Sequence, residues 1–98
     1  MRVAAWNDVA HRIVRIEMVR KGLTYADMVE RLRPLGVDDN ERNIRNKVAR
    51  GTFSGVFLIQ CLAALGVRTV DLMAYDLPFD ADAPDAEVIR QKLISGQG

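Results

Sequence analysis

Between Asn40 and Thr52 the chain concentrates side chains that hydrogen-bond to nucleobase edges and to phosphate: Asn40, Arg42, Asn43, Arg45, Asn46, Lys47, Arg50 and Thr52. Arginine pairs in two-pronged fashion with guanine, and asparagine does so with adenine. Contacts to phosphate position a protein on a duplex without reading its sequence. Ile44 and Val48 are the only strongly apolar residues of the stretch, and four residues apart they point the same way on a helix. The opposite side then carries Arg42, Asn43, Asn46, Ala49 and Arg50, with Arg45 and Lys47 on the flanks. No acidic residue lies between Arg42 and Arg68, so nothing there repels a polyanion.

Catalytic chemistry finds little support in the same inventory. There is no glycine-rich phosphate loop, no second histidine, no cysteine pair and no Ser-His-Asp set. The carboxylates cluster near helix starts and in the C-terminal segment, where capping and solubility explain them. The expectation is a non-enzyme with no catalytic residue, no metal and no cofactor. His11 has no partner ligand nearby and is assigned a structural or surface role.

The elements that must hold these side chains follow from periodicity and caps. A first helix is expected from about Ala5 to Arg20. Trp6, Val9, Ile13 and Ile16 form its apolar stripe, which Val14, Met18 and Val19 widen, and Gly22 ends it. A second starts at Thr24, a good N-cap, with Asp27 three residues on. Ala26, Met28, Val29 and Leu32 are its inward side, and Pro34 stops it. The third, which bears the polar row, is expected over 39–49. It starts after Asp38, with Glu41 completing a capping box, and Gly51 closes it.

A fourth helix begins near Ser54 and runs to Leu65. It is apolar on most sides, so it is expected to be the spine of the core. A short fifth helix, from about Thr69 to Tyr75, would bury Val70, Leu72 and Met73. Residues 79–84 read as a linker. A last helix, from Asp85 to about Ile94, shows Val88, Ile89 and Leu93 on one side and is too short to stand alone.

The fold class expected is all-α. Residues 1–77 form a compact five-helix helix-turn-helix domain, and residues 78–98 form a linker and C-terminal helix that is a candidate dimerisation segment. Ninety-eight residues suit one domain with one modest core. The net charge of +1 conceals an asymmetry, with a basic body up to Arg68 and an acidic remainder. That pattern suits a polyanion on one face and a protein contact on the other. Cys61 is a lone cysteine among Leu58, Leu62 and Leu65, which fits a buried thiol and a reducing cytoplasm. No stretch is apolar enough to span a membrane, and the N-terminus lacks the apolar run of a signal peptide.

Two resemblances rest on these residues. Gly22-Leu-Thr-Tyr-Ala-Asp-Met-Val, Arg50-Gly, and a capped apolar helix ending Ala64-Leu65-Gly66-Val67 resemble the lambda-repressor-like (Xre-type) helix-turn-helix family over residues 20 to about 73. The Gly-Leu-Thr-Tyr-Ala-Asp phrase and Lys47-x-x-Arg-Gly-Thr-Phe-Ser also resemble a group of small bacterial proteins that carry a domain of unknown function. The first resemblance implies a five-helical domain that binds DNA as a dimer and represses transcription. It carries over to Thr24, to Ile44 as core, and to Arg50-Gly51. The chain departs from that family at Tyr25, where glutamine is usual, at Ala49, where glutamate is usual, and in a longer segment between Gly36 and Ile44.

The function expected is therefore a sequence-specific double-stranded DNA-binding regulator of transcription, a repressor in the bacterial cytoplasm associated with the nucleoid. It would act as a homodimer or as a heterodimer with a related protein, and would place helix 39–49 in the major groove. Base contacts would come from Arg42, Asn43, Arg45 and Asn46, with Asn40 at the helix start. Phosphate contacts would come from Thr24, Tyr25, Lys47, Arg50 and Thr52. The competing expectation is a protein-interaction module or antitoxin-like adaptor that works through the last helix.

Overall fold

The computed structural model describes residues 3–80 and 82–96. Five α-helices are present among them: α1 Val3–Lys21, α2 Tyr25–Leu32, α3 Glu41–Arg50, α4 Gly55–Ala64 and α5 Ala86–Ser95. Two 3-10 turns, Arg33–Leu35 and Leu72–Ala74, complete the order, and no strand appears among the described residues. The all-α expectation holds. No helix among the described residues is long and apolar enough to cross a membrane.

Local sequence explains most boundaries. Gly22 and Gly51 close α1 and α3 in the left-handed region, at φ of 68° and 65°. Thr24 caps α2 in a full capping box with Asp27. Pro34 lies in the tight turn that follows α2, and Gly36 finishes it at φ 93°. Ser54 caps α4 by accepting from Phe57 N at 3.1 Å.

The α1 and α2 helices each pack on both α3 and α4. The main core joins Val14, Met18, Met28, Leu32, Ile44, Val48, Phe57, Cys61 and Leu65. A second cluster holds Val9, Ile13 and Tyr75, with Trp6 and Leu77 packed against it. The α1 helix supplies residues to both clusters, so it is the spine.

That arrangement corrects several sequence expectations. The α4 helix is one wall of the core: Phe57, Cys61 and Leu65 are buried, while Val56 and Ile59 are 67% and 68% exposed. Apolar residues all round a helix implied full burial, but only one side of α4 found partners. The expected fifth helix over 69–75 is a single 3-10 turn, and its Val70, Leu72 and Met73 are exposed. Asp71 caps that turn at Met73 N, which pins the backbone before a helix can form. The compact unit is therefore four helices and a turn, with α5 as the additional helix. Val19 and Ala26 are exposed rather than inward.

Apart from Ala81, which lies outside the described residues, the 79–84 linker is irregular as expected. Phe79 meets Trp6 edge-on, with ring centroids 6.2 Å apart, and so ties the linker to α1. The α5 helix rests on the Leu72–Ala74 turn.

Candidate functional site

The α3 helix owes its position to its two apolar residues. Ile44 and Val48 are fully buried, in the main core. Every other residue of α3 is exposed. The end of α3 is fixed by α1. Val48 O accepts from His11 Nδ1 at 2.9 Å, and Gly51 packs so closely on Asn7 that a Cβ there would sit 1.9 Å from Asn7 O. His11 is thus structural, as its isolation suggested, and it carries its proton on Nδ1 in this arrangement.

The start of α3 differs from expectation. Asn40, not Asp38, is the N-cap: its Oδ1 accepts from Asn43 N at 2.8 Å. Glu41 occupies the first helical position and pairs with Arg45 at 2.7 Å instead of completing a capping box. Asparagine caps as well as aspartate does, so the two-residue shift has little cost. It turns Asn40, a predicted base contact, into a cap whose oxygen is engaged.

Asp39, just before the cap, organises the exposed face. One of its oxygens accepts from Asn40 N at 2.9 Å and from Asn43 Nδ2 at 2.8 Å. The other lies 3.1 Å from Lys47 Nζ. These bonds, that from Asn43 foremost, hold the Asp39 carboxyl below the ordinary carboxylate range. The Lys47 ammonium also lies 5.3 Å from the centre of the Phe57 ring on α4. Lys47 therefore links α3 to α4 as well as facing solvent.

Tyr25, half-buried at the start of α2, lies between two guanidinium groups: Arg15 of α1 is 5.1 Å from its ring centre and Arg45 of α3 is 5.2 Å. Each is within the distance at which a cation is drawn to an aromatic face. Thr24 spends its hydroxyl on the capping box with Asp27, whose carboxyl those bonds to Thr24 lower. Arg42, Asn46 and Arg50 are exposed and have no hydrogen-bond or ion-pair partner among the described residues. Thr52 is exposed just beyond α3.

The structure thus brings the predicted residues onto one helix and its flank, but in three states. Arg42, Asn46 and Arg50 are unengaged; Asn43, Arg45 and Lys47 are held by Asp39, Glu41 and Tyr25; Asn40 and Thr24 serve as caps. Two contributors escaped the sequence reading. Asp39 sits four and eight residues before Asn43 and Lys47, a spacing that could have signalled it. Arg15 comes from another helix, and no local spacing indicates it.

Buried Cys61 contributes no reactive thiol, since burial pushes its pKa up to about 12. Its wall of the core is remote in character from the polar α3 face.

Against known proteins, no curated protein and no solved structure matches the chain. Residues 6–70 match the family described as "Domain of unknown function (DUF6471)", a span that runs from Trp6 on α1, through the whole of α2, α3 and α4, to Val70. With that span the chain belongs to the DUF6471 family.

Proposed function

We propose that this protein binds double-stranded DNA in a sequence-specific way and regulates transcription, as a repressor, with α3 entering the major groove and α2 bracing it in the manner of a helix-turn-helix. The observation that carries the proposal is the row Arg42, Asn46 and Arg50. At four-residue spacing these unengaged, exposed side chains share the face opposite Ile44 and Val48. Their backbone positions span about 12 Å, comparable with the width of the groove. Arg42 and Asn46 are the base-reading pair, with Asn43 and Arg45 beside them. Arg50, Lys47, Thr52 and the Arg15–Tyr25 pair supply phosphate contacts, and Thr24 holds the end of α2 in place.

The test is a titration of labelled duplex DNA at several salt concentrations, comparing the natural chain with Arg42→Glu/Arg50→Glu. The charge-reversed variant should keep its fold, because both side chains are exposed, and should lose at least about tenfold in affinity with a shallower salt dependence. Equal binding by both proteins would refute the placement of DNA on α3.

A second reading is supported by α5. Its Val88, Ile89 and Ile94 are each more than half exposed. A helix with several exposed aliphatic side chains suits a protein partner. Weak, sequence-independent DNA binding together with a tight protein partner would favour this adaptor role.

A further inference from the structure

A cavity of about 690 Å³ lies between the body of the protein and α5. One wall is the chain from Met73 to Phe79, and the other is the start of α5 with the residues just before it. The volume falls in the range of small-molecule sites, in which apolar side chains surround a few polar groups. Met73, Leu77, Phe79 and Pro84 supply the apolar lining. Phe79 is itself held by the edge-on contact with Trp6. A thioether and an aromatic ring in one wall suit an aromatic occupant.

Charge narrows the choice. The described residues of the lining carry two carboxylates, Asp76 and Glu87, and one guanidinium, Arg90. Glu87 is engaged: its Oε1 accepts from Gln91 Nε2 at 2.7 Å, and its Oε2 lies 3.9 Å from Arg90 Nη1. Asp76 is not. Arg12 Nη2 donates to the carbonyl oxygen of Asp76 at 3.2 Å, which fixes the backbone there, while the carboxylate has no partner among the described residues. Arg90 is committed to Glu87, so the lining leaves one carboxylate unanswered beside an apolar wall. The surrounding chain has the same sign, with six Asp/Glu against two Lys/Arg from residue 69 onward. That field draws cations in and repels phosphate and carboxylate.

We propose that this cavity binds a small organic monocation, an ammonium group on an aromatic body, with the ammonium against the Asp76 carboxylate and the ring against Met73, Leu77 and Phe79. Such an occupant touches both walls and so ties α5, which rests on the Leu72–Ala74 turn, to the rest of the body. None of the lining residues belongs to the α3 row, and binding here needs no DNA, so the site does not depend on the proposed function.

The test is a nuclear magnetic resonance titration of the full chain with three compounds. Phenethylamine has both features; 3-phenylpropionate keeps the ring and reverses the charge; methylammonium keeps the charge and lacks the ring. Phenethylamine should bind with about millimolar strength, in keeping with so small a ligand, and the other two at least about tenfold more weakly. The amides that shift should be those between Met73 and Phe79 and at the start of α5. Asp76→Asn, at an exposed side chain, should weaken phenethylamine by at least about threefold, the scale of one exposed ion pair. Asp76→Lys should reverse the preference in favour of 3-phenylpropionate, a gain that damage to the fold cannot produce. Asp38→Asn, at an exposed carboxylate outside the cavity, should change nothing. No saturation by phenethylamine up to about 20 mM, well above a millimolar constant, would overturn the proposal. So would equal binding of either other compound, shifts confined to other elements, or binding that Asp76→Asn leaves unchanged.

Discussion

Asp39 holds Lys47 at 3.1 Å across eight positions of sequence, and in doing so it places a carboxylate within the face that carries the arginines and asparagines of α3. The side chain of Asp39 is only 18% exposed, whereas that of Lys47 is 48% exposed. The lysine can therefore swing to another anion while the carboxylate stays. In the free protein Asp39 restrains Lys47, and on the proposed function it would stand close to phosphate and repel it. Asp39→Ala should thus raise affinity for random duplex by no more than a few-fold, the scale of one surface ion pair. The dependence of affinity on salt should steepen by roughly one ion as Lys47 is released. Titrations at two salt concentrations measure both, and weaker binding to random DNA would show that Asp39 instead supports the contact.

On the proposed function the neighbours Asn46 and Lys47 would have different tasks. Asn46 has no partner among the described residues and lies in the row opposite the core. Asn46→Ala should cost about 1–3 kcal/mol on the preferred site and little on random DNA, relaxing specificity at one base pair. Lys47→Ala should weaken all sequences alike and lower the salt slope by roughly one. It should also cost some stability, because Lys47 lies over Phe57. If the two variants affect preferred and random DNA identically, the roles assigned to them are wrong.

Gly51 and Gly22 make a controlled pair. Both have left-handed backbones, at φ 65° and 68°, but only Gly51 has backbone in the way, with Asn7 O at 1.9 Å from the position of an added Cβ. Gly22→Ala should cost about 1–2 kcal/mol from conformation alone. Gly51→Ala should cost clearly more, and should separate α3 from the N-terminal part of α1. Urea unfolding of both variants gives the comparison, and equal losses would mean that the Asn7 contact yields easily.

Acid should loosen the same region. Asp27 and Asp39 ionise below the ordinary value of 3.8, Asp27 through its bonds to Thr24 and Asp39 through those from Asn43, Asn40 and Lys47. A carboxyl whose pKa falls on folding stabilises the fold above its unfolded pKa, and that contribution disappears as pH drops through the folded value. Stability from these two groups should therefore be level from pH 7 to about 5 and should fall below about pH 4. Asp27→Asn/Asp39→Asn should flatten the acid fall, as read by urea midpoints across the range. An unchanged acid profile would assign the fall to other carboxylates.

Local signals were legible where a single helix or turn decides the outcome. Thr24, Pro34, Gly51 and Ser54 mark boundaries through backbone chemistry that needs no distant partner. The apolar pair Ile44 and Val48 located the exposed face of α3. Tertiary choices were not legible. Composition cannot say which side of an all-apolar α4 meets the core, and so its role as spine passed to α1, whose Val14 and Ile13 reach two separate clusters. The pairing of Arg15 with Tyr25 joins α1 to α2 across a fold that periodicity does not reveal. The cap at Asn40 was missed because Asp38, Asp39 and Asn40 are all competent caps, and the register of α3 on the core selects among them.

The central claim is that the free row on α3 reads DNA sequence. The most direct measurement is repeated selection from a random double-stranded library at about physiological salt, followed by titration of the winner and a scrambled duplex against the natural chain and Arg42→Ala/Asn46→Ala. The expected result is an enriched site that the natural chain prefers over scrambled DNA by at least about a hundredfold and that the variant no longer distinguishes. No enrichment, or an enriched site that the variant still prefers equally, would contradict it.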